Sequence, residues 1–203
     1  MTAPSPADST RARIAAAAKT EFSRYGIAGA RVDRIAKEAR TSKERVYAYF
    51  RSKEALYTFI AGRELLAVIE ATPMDPTDLP EYAGRLFDYF NTNPEHFRLL
   101  NWGRLERATF LAELEDAYQA AILHKVEQIR AGQQDGYLDP TWDPIDVLAL
   151  VHQIASSWVA QEELARLAAE QALDPDTAAR RAAVVHAVQR LFPAAADARD
   201  ATA

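Results

Sequence analysis

The chain has 203 residues, of which 49% are hydrophobic, and 24 Lys+Arg against 29 Asp+Glu leave a net charge of −5. That length holds one large domain or a small one fused to a larger one, and no apolar run approaches the ~18 residues a membrane span needs. The absence of cysteine excludes disulfides, thiolate nucleophiles and thiolate zinc sites together.

The opening stretch MTAPSPADST has no apolar segment of the kind a secretory signal needs, so a cytoplasmic protein is expected, with residues 1–9 a disordered arm. Asp8 or Ser9 can cap a first helix running to about Tyr25, with Ile14, Ala18 and Phe22 as its apolar row. Gly26 is placed to stop it. Val32, Ile35, Ala36 and Ala39 then share one face of a short second helix. After a break at Arg40-Thr41-Ser42, a third helix over 43–50, capped by Ser42, carries Val46, Tyr47 and Phe50 on one face. At about 12 Å it has the length of a major-groove probe.

A fourth helix runs from Lys53 to Ala71, where Thr72-Pro73-Met74-Asp75-Pro76 ends it. It begins in the head and ends in the body, and a domain boundary is set inside it, between residues 55 and 56. Further helices are predicted over 78–92, 94–107, 109–132, 143–171 and 175–191, with Pro94 and Pro144 at early positions where a missing N–H is tolerated. Residues 193–203 are a small-residue tail, expected to be disordered. No segment shows strand alternation, so the fold class is all-α: a head over 10–55 and a helical body over 56–192.

Charge divides along the same line. Residues 1–60 hold 12 Lys+Arg and 6 Asp+Glu, a balance of +6, while the other 143 residues hold 12 and 23, a balance of −11. Only the head is suited to a polyanion. Arg31, Arg34, Lys37, Lys43, Arg45, Tyr49, Arg51 and Lys53 point outward from the short helix pair. A cationic, tyrosine-bearing pair of short helices joined by a tight turn is the pattern of a helix-turn-helix lying on duplex DNA.

With Phe22 and Gly26, the run VDRIAKEA, Ser42, VYAYF over 46–50 and SKEAL over 52–56, residues 10–60 resemble the TetR family of transcriptional regulators. The resemblance implies a homodimer that binds a pseudo-palindromic DNA operator. It is expected to act as a repressor and to leave the operator when a mostly apolar small molecule binds, with no cofactor and no enzymatic activity. Tyr47, Tyr49 and Lys53 match positions that hold phosphates. Lys43, Glu44, Arg45 and Ala48 match positions exposed to base edges. Arginine or lysine can donate to guanine, Glu44 can accept from cytosine N4, and Ala48 can touch a thymine methyl. Tyr47 can equally be core, and Glu44 can simply favour its helix N-terminus.

Two departures from the family pattern stand out. Arg40 occupies a turn position where the family has glycine, implying either a left-handed arginine that touches phosphate or a remodelled turn. Arg31 replaces a capping threonine, which points to a phosphate or minor-groove contact.

In the body the small residues Ala149, Ala155, Ser156, Ser157 and Ala160 of 143–171 and Ala179, Ala182, Ala183 and Ala187 of 175–191 suit a close helix interface between two copies. The dispersed large groups Phe87, Phe90, Trp102, Tyr118, Ile122, His152 and Trp158 read as core or as ligand pocket. Trp102 and Glu106, four apart, would set an acid beside an indole, suited to a lipophilic cation. His96, His124, His152 and His186 form no HxxxH or HExxH pair, so no metal site is expected. The rival reading is a helical small-molecule-binding protein or enzyme whose basic head contacts a protein partner.

Overall fold

The computed structural model describes residues 6–106 and 112–193, and every regular element among them is an α-helix. In chain order these are α1 (Pro6–Gly29), α2 (Val32–Glu38), α3 (Lys43–Tyr49), α4 (Lys53–Ala71), α5 (Leu79–Thr92) and α6 (Pro94–Leu105). There follow α7 (Ala112–Gln134), α8 (Pro144–Ala160), α9 (Glu162–Gln171) and α10 (Thr177–Leu191). α1 reaches back to Pro6, ahead of the anticipated cap at Asp8 or Ser9 and into the expected arm. Residues 1–5 and 194–203 of the expected arm and tail lie outside the described residues. The helix expected over 143–171 is two helices, because Gln161 leaves helical geometry (φ −124°, ψ 68°). Glu162 and Glu163 then fall in the first turn of α9, where carboxylates oppose the positive end of the helix.

Two compact units result, Met1–Ala67 with Pro94–Ala117 and Val68–Asn93 with Tyr118–Ala203. The division therefore falls near the end of α4 rather than at residue 55, and α6 returns to the first unit. The reason is burial: Leu56, Tyr57 and Ile60 of α4 and Leu99 of α6 share a core with Ile14, Phe22, Ile35, Val46 and Phe50. The Phe22 and Tyr57 rings meet edge to face at 5.3 Å, and the Tyr57 hydroxyl donates to the Leu99 carbonyl at 2.7 Å. Burial pushes the Tyr57 pKa up to about 12. Lys19, Glu64 and His96 form a polar cluster that joins α1, α4 and α6.

α2 and α3 have seven residues each, too few to persist unsupported. Their ends show what holds them. Arg31 stands at the α2 N-cap and its side chain caps nothing. Instead Glu21 of α1 accepts the Arg31 backbone N–H at 2.8 Å and Arg34 Nε at 2.7 Å. At the other end Arg40 is left-handed (φ 52°). Its N–H bonds the Lys37 carbonyl at 3.1 Å, and the Thr41 N–H bonds that of Ala36 at 2.9 Å. This is a Schellman motif with arginine at the usual glycine position, so the turn is left-handed rather than remodelled. Arg13 Nε also donates to the Ala39 carbonyl at 3.1 Å. Ser42 caps α3 as expected, accepting the Arg45 N–H at 3.2 Å.

α1 breaks its helical geometry at Gly26 (φ 67°, ψ −175°). Beyond the break, the N–H groups of Ile27 and Ala28 each donate to Glu106 at 2.8 Å, and the Trp102 indole donates to the Ser23 carbonyl at 3.2 Å. A Cβ on Gly26 would run into Glu106 Oε1 and the Trp102 ring, so both space and φ require glycine.

In the second unit α5 packs on α8 and α10, burying Leu79, Tyr82, Leu86, Val151, Val184 and Val188. Arg181 fastens α10 to α5, with Nη2 on Glu81 at 2.6 Å and Nε on Asp88 at 2.8 Å. Within this unit lies a buried polar chain. Lys125 donates to the Tyr82 hydroxyl at 2.7 Å, and that hydroxyl meets His152 Nε2 at 2.8 Å. Burial alone lowers the Lys125 pKa to about 8.

Arg40→Gly is expected to stabilise the protein by roughly 1 kcal/mol, since glycine takes the left-handed conformation without steric penalty. Urea unfolding checks this, and a loss of stability would show the arginine side chain to be structurally required. Lys125→Met should raise the unfolding temperature at pH 7. An unfolded lysine keeps its proton to about pH 10.4, so between about pH 8 and 10.4 the unfolded chain binds more protons than the folded one. The burden of the buried charge is full below pH 8 and fades as pH rises through that window. Calorimetric scans should show the gap between parent and variant narrowing from pH 8 to 10, and a pH-independent gap would contradict the assignment.

Candidate nucleic-acid interface

α3 turns Val46 into the core and leaves Lys43, Glu44, Arg45, Tyr47 and Ala48 exposed. Tyr47 was expected beside Val46 and Phe50 on the core face. It is 40% exposed, whereas Tyr49, expected outward, is half-buried and packs on the core. The helical angle explains the exchange. From Val46, Phe50 lies one turn on and Tyr49 falls near the same stripe, while Tyr47 is rotated by about 100°.

A shallow groove of about 460 Å³ runs between the start of α2, α3 and the start of α4. It gathers Arg31, Lys43, Tyr47, Arg51 and Lys53 along its walls, with Asp33 and Glu54 as its acidic members. Arg51 was noted in the sequence as an outward cation but not as a site residue; its place between two helices is what brings it in. Lys43 Nζ sits 3.0 Å from Asp33 Oδ1. Both side chains are largely exposed, and such pairs are weak and readily exchanged for another anion. Lys53 Nζ lies 3.3 Å from the Ala28 carbonyl and 3.4 Å from that of Ala30, which fastens α4 to the entry of α2. Glu44 is drawn to its own backbone amide and the Ser42 hydroxyl, which hold its carboxyl below the usual range. That geometry favours the helix-terminus role over a base contact. Arg40 is exposed at the turn and Arg45 on the outer face of α3.

The candidate ligand residues divide between the two units. Phe87 is buried in the second unit, and Phe90, Ile122 and Trp158 pack against the same cluster. His152 bonds Tyr82 there. Tyr118 is half-buried on α7 of that unit. Trp102 and Glu106 belong to the first unit. The Glu106 carboxylate is engaged by the backbone beyond Gly26 and the Trp102 indole by Ser23, so the expected acid-and-indole cradle for a cation is a helix-end brace. Sequence reasoning missed Lys125 and Tyr82. The signal was present, because Lys125 interrupts the apolar row Ile122, Val126, Ile129 at a core-facing register. Among the described residues no cluster of three or more His, Asp or Glu is placed to hold a metal ion. No helix among them is long and apolar enough to cross a membrane.

Comparison with known proteins agrees with this geometry. Residues 14–58 match the family model described as bacterial regulatory proteins, tetR family. Residues 78–190 match the one described as tetracyclin repressor-like, C-terminal domain. The HTH-type transcriptional repressor SCO4008 of Streptomyces coelicolor is 37% identical over 160 residues, 79% of this chain and 83% of that protein. The solved structure of SCO4942 from the same organism is 61% identical, covers 91% of this chain and 98% of its own, and superposes with a TM-score of 0.84. A TetR family transcription regulator from Marinobacter aquaeolei shares the fold at 20% identity, with a TM-score of 0.72 and coverage of 92% and 96%. With its helix-turn-helix and more than half of its length accounted for by these two models, the chain is a transcriptional regulator of the tetR family.

Proposed function

We propose that this regulator acts in the cytoplasm as a homodimeric repressor that grips a pseudo-palindromic operator with two copies of α3 and releases it when a small, mostly apolar molecule enters the second unit. The observation that carries the DNA half is the groove that sets Arg31, Lys43, Tyr47, Arg51 and Lys53 along one surface beside the exposed face of α3. Four of these five are cations, in a chain whose remaining residues are acidic, so only this surface is attracted to a polyanion. Within it, Arg31, Tyr47, Tyr49 and Lys53 take the phosphate roles, and Arg40 joins them from the turn. Ser42 orders the helix start through its cap. Lys43, Arg45 and Ala48 meet base edges, because they lie on the exposed face that enters the groove.

Dimerisation is supported by the second unit. Ala149 and Ala160 of α8 and Ala182, Ala183 and Ala187 of α10 are exposed small residues, although the same helices bury Val151, Val184 and Val188. Two-fold pairing of such faces lets helices approach closely. The name of the 37%-identical relative, a transcriptional repressor, supports repression over activation.

Two experiments test this reading. Selection of preferred sequences from a randomised DNA library should return a pseudo-palindrome with half-sites about one helical turn or slightly more apart. Lys53→Met should weaken binding to all sequences alike and flatten the salt dependence, whereas Arg45→Ala should relax the preference at one position by about 1–3 kcal/mol. An unchanged preference pattern for Arg45→Ala would remove Arg45 from the base-reading set. Ala183→Arg should give a folded monomer in sedimentation with operator affinity reduced at least about tenfold, since two half-sites are no longer linked. A dimer that survives this substitution would place the interface elsewhere.

A further inference from the structure

Lys125 is the buried cation of the second unit, 9% exposed, and among the described residues no carboxylate stands against it. Its ammonium donates to the Tyr82 hydroxyl at 2.7 Å and to the Thr72 carbonyl at 3.4 Å, and it lies 4.6 Å from the centre of the Tyr82 ring. All three partners are neutral. Tyr82 accepts from Lys125, and its hydroxyl is hydrogen-bonded to His152 Nε2 at 2.8 Å, so the three side chains form one row across α7, α5 and α8. A second positive charge, the guanidinium of Arg85, acts on the Tyr82 hydroxyl. That guanidinium donates to the Pro73 carbonyl at 3.0 and 3.2 Å.

Structure alone does not call for a lysine here. Its register on α7 is the core-facing one shared by Ile122, Val126 and Ile129. A methionine would fill the space without desolvating a charge, and an uncompensated buried ion is among the least favourable features a core can hold. The arrangement lacks one component, a negative charge, and apolar groups that would receive the rest of a molecule pack in the same unit: Phe87, Ile122 and Trp158.

We infer that the effector of this regulator is an organic anion, a carboxylate on an apolar body, whose charged end is held by Lys125 with Tyr82 beside it. This rests on the reading of the second unit as the effector-binding part and names the chemistry of its ligand. Binding neutralises the ammonium and supplies the acceptor that its remaining N–H lacks among the described residues. Since the Lys125 ammonium gives up its proton at about pH 8, anion affinity weakens above that pH.

The test uses the full-length protein and two matched sets of probes: benzoate, benzyl alcohol and benzylammonium, and octanoate, 1-octanol and octylammonium. Calorimetry reads binding, and fluorescence anisotropy reads operator affinity. A carboxylate should bind at least about tenfold more tightly than the alcohol of the same skeleton, with affinity falling about tenfold per pH unit above pH 8. Lys125→Met should erase that preference and leave alcohol binding unchanged. Tyr82→Phe, which keeps the ring that packs in the core, should reduce the preference in part. Operator affinity should fall roughly 5- to 150-fold at saturating carboxylate. The proposal is overturned by head-group-blind binding, by preference for the ammonium probes, by no measurable binding of either carboxylate, or by a preference that persists in Lys125→Met. A Lys125-dependent carboxylate that leaves operator affinity unchanged would instead confirm the anion site and remove effector control from the proposed function.

Discussion

The first unit depends on carboxylates that complete the ends of helices other than their own turn. Glu21 receives the first free N–H of α2, and Glu106 receives two N–H groups where α1 breaks at Gly26. Unpaired backbone donors at a buried helix end are expensive, and a helix of seven residues has little cooperative stability with which to offset them. α2 is therefore fixed in position by α1, and α1 ends where it does because α6 braces it. The placement of α3, and of every side chain it offers to DNA, follows from that chain of supports. Arg31 illustrates the economy of the arrangement. Its backbone is capped by Glu21, which leaves its side chain exposed toward the groove.

The two units handle charge in opposite ways. On the first, cations lie at the surface, and where they are paired, as Lys43 is with Asp33, the pair is solvent-exposed and easily displaced. In the second, a chain segment with excess negative charge buries one lysine against a phenol and a carbonyl. A surface cation attracts a polyanion at long range and loses the attraction as salt screens it. A buried cation does neither, because bulk polyanions and salt are kept from it. The same residue type thus behaves differently in the two dielectric surroundings.

The exchange between Tyr47 and Tyr49 shows how narrow the margin is at a short helix. Both are aromatic, two residues apart, and compatible with either face by composition. Only the direction of the Val46–Phe50 stripe relative to α1 decides that Tyr47 is exposed and Tyr49 packs inward. The break at Gln161 has a similar origin. Nothing in the composition of 143–171 forbids one long helix, but α8 buries Val147, Val151 and Ala155 whereas α9 buries none of its residues. Beyond Ala160 the apolar residues Leu164 and Leu167 stay exposed, so no burial within the chain holds that segment in line with α8.

Legible in the residues alone were the all-helical class, the helix pair with its Ser42 cap, the stop at Gly26 and the cationic character of the head. Each of these is set by residues within a few positions of one another, where helical spacing, capping geometry and net charge can be read directly. Tertiary structure alone decided that Glu106 and Trp102 brace the first unit, that α6 belongs there, and that Lys125, Tyr82 and His152 meet. Ile27 and Glu106 are 79 residues apart and Tyr82 and His152 are 70 apart, and no local pattern records which distant side chain will arrive at a given helix end. What decides it is the joint burial of helix faces: α6 laid on α1 and α5 laid on α8 bring those polar groups within reach, and as they lose part of their water they bond one another.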